Sequence, residues 1–409
     1  MLDMTVNRFL IMALAAVMAL PATGCSDTGE VSISFTGDII MHIPVKSSAS
    51  AHAIIDKDSK TSKNNNGFNF LYEKIRPVLQ QSDIVVGNME FPVSPPFQSR
   101  PRYFNCPPDG IAAMKWAGFT MVTIANNHLL DQGEQAVPST LRYLSRYGMD
   151  CIGVAPTEES ARAGIVKTVR GIRIGFIGYA GYLNFPRQKK TAGYRLNWLY
   201  DLEDVKKDIE ELRRKCDYLV MVSHAGIEYD TVPSPRDVEV YRKCVENGVD
   251  LVVAHHPHLL QPMEKVVAAD GRECYIFYSL GNFISNQSTK AEAFFDGAPI
   301  TTRDSVIVRC FLSGNGRGNR PSSRFELIPV YTINIVEGGS GIRAIQTVPI
   351  DREIGELKKR LAGADVKEKV DIEKQLQNLY QKSKAIRIAL YRGKDIKEIT
   401  FSSNSGGYE

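Results

Sequence analysis

Short apolar runs closed by polar clusters alternate along this chain with longer stretches of helical spacing. Val31-Ser32-Ile33-Ser34-Phe35 alternates as a strand should and gives way to Thr36-Gly37-Asp38. Ile84-Val85-Val86 reads as a short buried strand ending at Gly87-Asn88-Met89-Glu90, and Thr120 to Ile124 as another ending at Ala125-Asn126-Asn127-His128. Ile172 to Tyr179, Tyr218 to Val222 (before Ser223-His224) and Leu251 to Ala254 (before His255-His256-Pro257-His258) repeat the pattern. Tyr275 to Leu280 is one more run, broken at Gly281-Asn282. Helical periodicity falls between these runs, at Leu71 to Gln81, Ile111 to Ala117, Val137 to Tyr147, Leu202 to Lys215 and Val238 to Asn247. Such alternation predicts an α/β architecture. Ser47 to Asn66, rich in Ser, Lys and Asn, is expected as a polar loop.

Beyond Phe283 the pattern changes. Ser305 to Leu312, Phe325 to Ile335 and Ile342 to Ile350 are strand-like, joined by Gly/Ser/Arg loops, and are expected to complete a second sheet. From Asp351 to Ala385 Lys and Glu are dense, with Ile354, Leu357, Leu361, Leu376 and Leu379 at helical intervals. The expectation is a surface helix pair, or a helix contacting a partner. The division that follows is a leader over residues 1–24, a domain over 31–350 and a charged helical tail over 351–409.

A length of 409 residues is enough for a large core. The net charge of +4 is spread along the chain and gives nucleic-acid binding no support. Arg8 precedes an apolar run, Phe9 to Leu20, followed by Pro21-Ala22-Thr23-Gly24-Cys25. That run is a signal-peptide core, too short to span a bilayer as a helix. Ala-Thr-Gly-Cys resembles a bacterial lipobox, with Ala22 where a leucine-like residue is usual. Lipidation of Cys25 would anchor the mature chain to the extracytoplasmic side of a membrane; without it the chain would be secreted. The other six cysteines are scattered with no CxxC spacing. That argues against a cysteine zinc site and for buried free thiols, although export would permit some to oxidise.

Candidate chemistry collects at the strand ends. Three of the seven histidines lie within His255 to His258, on a loop after a buried strand, a placement that suits metal binding better than core filling. In α/β sheets, sites form beyond the carboxyl ends of strands, so Asp38, Glu90, Asn127, His128, His224, His256 and His258 can converge. Carboxylates, an amide oxygen and imidazoles together suit Mn, Fe or Zn. Two such ions about 3.5–4 Å apart can clamp a phosphoryl group and lower the pKa of a water between them. A neighbouring His can protonate the leaving oxygen.

The blocks FTGD (35–38), GNMEFPVS (87–94), ANNHLLDQG (125–133), SHAGIEY (223–229), AHHPHLLQPME (254–264) and FYSLGNFI (277–284) together resemble the signature set of the CapA family. These are capsule and poly-γ-glutamate biosynthesis proteins related to the calcineurin-like metallophosphoesterases. The resemblance implies a β-sandwich flanked by helices, with two divalent metal ions at the strand ends. It implies Asp38, Glu90, Asn127 (through its amide oxygen), His224, His256 and His258 as metal ligands, and His128 as catalytic acid. Asp131 either orients His128 or caps a nearby helix. His255 is left without a role. Two departures stand out: the superfamily's first motif is Asp-x-His, whereas Asp38 is followed by Ile39-Ile40-Met41-His42, and Glu90 replaces the bridging aspartate. One metal is therefore expected to be held weakly or lost.

Glu228 is either a site carboxylate or a surface one, and Asn282 is expected to brace its loop through backbone bonds. His52 is expected to be exposed, while Tyr182, Phe185 and Arg187 either line a substrate groove or pack a loop. The leading functional expectation is an exported, membrane-tethered, metal-dependent phosphoesterase serving an extracellular polymer, with an anionic polymer or phosphoester as substrate. The alternatives are a non-catalytic, metal-braced member of a membrane synthesis or export complex, and an amide hydrolase of the polymer.

Overall fold

The computed structural model describes residues 29–185, 194–287, 292–295, 298–314, 319–336, 341–391 and 398–402. The leader, Cys25 and Arg187 lie outside them. Two sheets stack face to face. The first runs, edge to edge, Arg343–Pro349, Ser322–Val336, Asp304–Ser313, Val31–Ile39, Ile84–Met89, Met121–Thr123, Asp150–Ile152. Its last four strands are mutually parallel, and Asp304–Ser313 turns antiparallel against Val31–Ile39. The second runs Leu260–Val267, Glu273–Leu280, Leu251–His255, Tyr218–His224, Ile172–Ala180, Ile165–Val169, with four parallel strands between antiparallel edges.

Period-two alternation of side chains builds the layers. Ile33, Phe35 and Val86 of the first sheet meet Phe176, Val220, Val222 and Val253 of the second in one buried cluster. The outer side of the first sheet, including Val85 and Val122, is covered by the helices Ile43–Ala51, Asp109–Ala117 and Ala136–Arg146. The outer side of the second, including Leu219, Met221 and Val252, is covered by Leu202–Arg213 and Pro235–Glu246. This is the expected α/β sandwich flanked by helices, with a C-terminal β/helical extension.

Four details depart from the sequence-based expectation. The three long strands after Phe283, Asp304–Ser313, Ser322–Val336 and Arg343–Pro349, extend the first sheet, and the second is completed by Leu260–Val267. Part of the expected polar loop is helical, as Ile43–Ala51, with Pro44 in its first turn where a missing N–H costs nothing. Leu71 to Gln81 is not one helix: a 3₁₀ segment, Asn65–Tyr72, is followed by a single α-turn, Arg76–Leu79. The charged stretch forms two helices, Ile350–Leu361 and Val366–Tyr391, and the longer one is more than a surface helix. Its Ile372, Leu376, Ile386 and Leu390 join the inter-sheet cluster. Its buried Lys382 pairs with Asp304 at 2.8 Å and lies 4.4 Å from the centre of the Tyr331 ring. Cys106, Cys151, Cys216, Cys244, Cys274 and Cys310 are free thiols.

Candidate metal centre

The parallel strands of both sheets deliver the motif residues to one edge of the sandwich. Asp38 pairs in register with Asn88 on one side and Asn282 on the other. Gly37 permits this crowding: a Cβ there would stand 2.1 Å from the Gly281 carbonyl oxygen, which accepts the Asp38 N–H at 2.9 Å. Asn282 does brace its loop, its Nδ2 donating to the Thr302 carbonyl at 2.9 Å, and it also sets Oδ1 3.0 Å from His258 Nδ1.

Two groups of side chains meet across Glu90. On one side His258 Nδ1 is 3.0 Å from Asp38 Oδ2, and Asp38, Glu90 and His258 each place a ligand atom within 4.8 Å of the others, all buried. On the other, His224 Nε2 lies 2.8 Å from Asn127 Oδ1 and 3.1 Å from His256 Nδ1. Asn127 Nδ2 donates to Asn184 Oδ1 at 3.2 Å, which fixes the amide with its oxygen toward His224. Glu90 Oε1 faces both groups: the Nε2 atoms of His128, His224 and His258 stand 3.7, 3.9 and 4.0 Å away. This oxygen is buried and has no hydrogen-bond partner among the described residues. Leaving such a group unsatisfied costs about 1–3 kcal/mol. The spacings are too long for hydrogen bonds. They come near the ligand–ligand edges of about 3–3.5 Å that follow when N and O donors sit ~2.0–2.2 Å from a shared ion. The residues present therefore fit a divalent cation.

The electrostatics agree. Burial and the charges of Asp38, Glu228 and Asp131 push the Glu90 carboxyl well above its usual range. Burial alone would raise Asp38 too, yet the His255 and His258 imidazoles hold it well below. Burial and neighbouring imidazoles keep His224 well below its usual value and His256 down to about 3, so both rings are neutral near pH 7 and offer lone pairs. His256 and His258 have φ of 103° and 60°, the left-handed region that costs a non-glycine residue about 1–3 kcal/mol.

His128 Nδ1 is 2.7 Å from Asp131 Oδ2, which also accepts the Phe104 backbone N–H at 2.5 Å. Asp131 thus orients His128; the cap of the Ala136–Arg146 helix is Gln135. The cluster opens into a cavity of about 700 Å³ lined by His42, Arg102, Tyr103, His128, Glu228, Tyr229 and His258. His42 sits at this mouth outside the ligand cluster, its Nδ1 accepting the Asn286 N–H at 3.2 Å, and burial lowers its pKa to about 3. Tyr182 stacks obliquely near His256, ring centres 5.5 Å apart, and Phe185 stacks on Tyr103 at 5.4 Å. His52, expected to be exposed, instead stacks on Phe70 at 3.5 Å.

Residues 32–287 match the family described as bacterial capsule synthesis protein PGA_cap. The chain belongs to that family. Among its relatives, the capsule biosynthesis protein CapA of Bacillus anthracis is 27% identical over 351 residues, covering 80% of this chain and 76% of the relative. The PGA biosynthesis protein CapA of Bacillus subtilis is 29% identical over 309 residues, covering 73% and 71%. The resemblance to CapA proteins read from the motif blocks is thereby borne out. Among solved structures, a phosphatase from Mycoplasma pneumoniae aligns over 74% of this chain and 93% of its own, with 13% identity and a TM-score of 0.43.

Within this PGA_cap centre, one residue passed over in the sequence holds several others. Asn88 Nδ2 donates to Asp38 Oδ1 at 2.8 Å, reaches Glu90 Oε2 at 3.4 Å and lies 3.1 Å from His224 Nδ1. Its own Oδ1 accepts from Asn126 Nδ2 at 3.1 Å. The available signal was position: Asn88 lies two residues before Glu90, so alternation turns both toward the same side.

Proposed function

We propose that this chain is an exported, metal-dependent hydrolase of phosphoester bonds that works in the biosynthesis of an extracellular polymer. Asp38, Glu90 and His258 would hold one divalent ion and Glu90, Asn127, His224 and His256 a second, with Glu90 shared. The observation that carries this reading is the buried, partnerless Glu90 Oε1 ringed by three imidazole Nε2 atoms. When bound, Mn, Fe or Zn supplies Lewis acidity toward a phosphoryl oxygen and lowers the pKa of a water. His128 supplies the proton for the leaving oxygen: Asp131 holds its Nδ1, so Nε2 faces the reacting side. Arg102, at the cavity mouth, would meet an anionic substrate. The names of the two Bacillus relatives, proteins of capsule and PGA biosynthesis, support a polymer setting. The leader and Cys25 support tethering to the outer side of a membrane. None of the described helices is long and apolar enough to cross a membrane.

The test is metal content by mass spectrometry, followed by turnover assays on phosphomonoesters, phosphodiesters and a γ-glutamyl polymer. Phosphoester turnover that a chelator abolishes and added Mn²⁺ restores is the expected result. Two bound ions with cleavage of the polymer amide alone would replace this reading with an amide hydrolase. Bound ions with no turnover, together with stable membrane partners in a pull-down, would replace it with a scaffold.

A further inference from the structure

The first motif lacks its second ligand, and an unassigned imidazole stands beside the ligand that remains. Ile40 occupies the position where Asp-x-His would place a histidine, and it is buried in the outer apolar cluster. His255 ends the Leu251–His255 strand, paired in register with His224. Alternation sends its side chain to the inner face with those of Leu251 and Val253. There its Nδ1 stands 3.2 Å from Asp38 Oδ1, with the ring only 2% exposed. The approach is close but off-line, so Nδ1 makes no hydrogen bond among the described residues. The same Oδ1 already accepts from Asn88 Nδ2, and Oδ2 faces His258. A buried N–H left just out of line with a carboxylate is costly, and a small rotation of Asp38 would close the bond. His255 Nδ1 lies against Asp38 Oδ1 whereas His258 lies against Oδ2, so His255 backs the carboxylate oxygen opposite the one offered to the ion.

We propose that His255 is a positioning residue: by donating from Nδ1 to Asp38 Oδ1 it turns Oδ2 onto the cation, and so makes good the imidazole missing from the first motif. This rests on the metal-binding reading of the site and is independent of which bond is hydrolysed. The test is calorimetric titration of the chelator-stripped full chain with Mn²⁺ alone, for wild type, His255→Phe and His255→Asn. His255→Phe keeps the buried ring and removes the donor; it should weaken one of the two ions 10- to 100-fold, roughly the usual cost of losing an outer hydrogen-bond partner. His255→Asn, whose amide N–H can reach the same oxygen, should recover most of that loss. Wild-type affinity for both ions in His255→Phe overturns the proposal, as does a wild type that binds no Mn²⁺. A His255→Asn variant as weak as His255→Phe also overturns it, because the ring itself would then be a ligand. A wild type that binds two ions but cleaves no phosphoester defeats the proposed activity alone.

Discussion

Consider Glu90→Gln, which keeps shape and removes a charge. In the metal-free folded chain the Glu90 carboxyl keeps its proton to higher pH than in the unfolded chain, because burial and Asp38 oppose its charge. The folded state therefore binds the extra proton between the ordinary carboxylate range and the raised folded value. Stability falls as pH rises through that window, with a limiting slope of about 1.4 kcal/mol per pH unit for one group. Asp38, held low, adds stability that is lost only as pH falls below its ordinary range. His224 and His256 lose theirs as pH falls below about 6.5. The histidine contributions are shared by wild type and variant, whereas Asp38, which opposes Glu90, changes with it, so the difference reads the carboxyl pair. Near neutral pH the metal-free variant should be the more stable by about 1–3 kcal/mol, because only wild type must keep a proton on Glu90 or bury its charge there. The order should reverse with metal: at a hundredfold excess over Kd, an ion stabilises the wild type by about 2.7 kcal/mol, and the variant by much less. Urea unfolding in chelator, from about pH 5 to about pH 8, with and without Mn²⁺, measures both arms. A metal-free wild type as stable as Glu90→Gln across that range would refute the argument, because the fold itself would then be satisfying Glu90.

Three further outcomes follow from the site and its supports. His128→Ala should cut phosphoesterase turnover by about 10²–10⁴-fold while metal content by mass spectrometry stays at the wild-type level. Lys382→Met leaves the buried Asp304 carboxylate without its partner and should cost about 3–5 kcal/mol in urea unfolding, with part recovered in the Lys382→Met/Asp304→Asn double variant. Cys25→Ser should move the protein from the membrane fraction to the soluble one; persistence in the membrane would rule out the lipid anchor.

The parallel strands were legible because both of their faces are buried, which leaves unbroken runs such as Leu219-Val220-Met221-Val222. Leu260–Val267 was not, since it is an edge strand interrupted by Pro262, with apolar positions that do not alternate. The long helix showed its charge in the sequence but not its burial. Lys382 lies in the core only because Asp304, 78 residues away, waits there. At the site, the motif residues were legible from residue type and strand-end position. Asn88 and His255 were not, because their partners lie across the sandwich or on a neighbouring strand and leave no local pattern. The two readings of Asp131 could be separated only by a distance, its 2.7 Å contact to His128.

The division of donors between the sheets has a bearing on how the protein matures. Asp38, Glu90 and Asn127 hang from one sheet, whereas His224, His256 and His258 hang from the other, and the His258–Asp38 contact spans 220 positions. Neither half assembles a complete pocket by itself, so a nascent or half-built chain has little with which to capture an ion. On the proposed metal-dependent reading, loading would come last and would double as an inspection of the finished fold: molecules whose layers have stacked in the wrong register would stay empty.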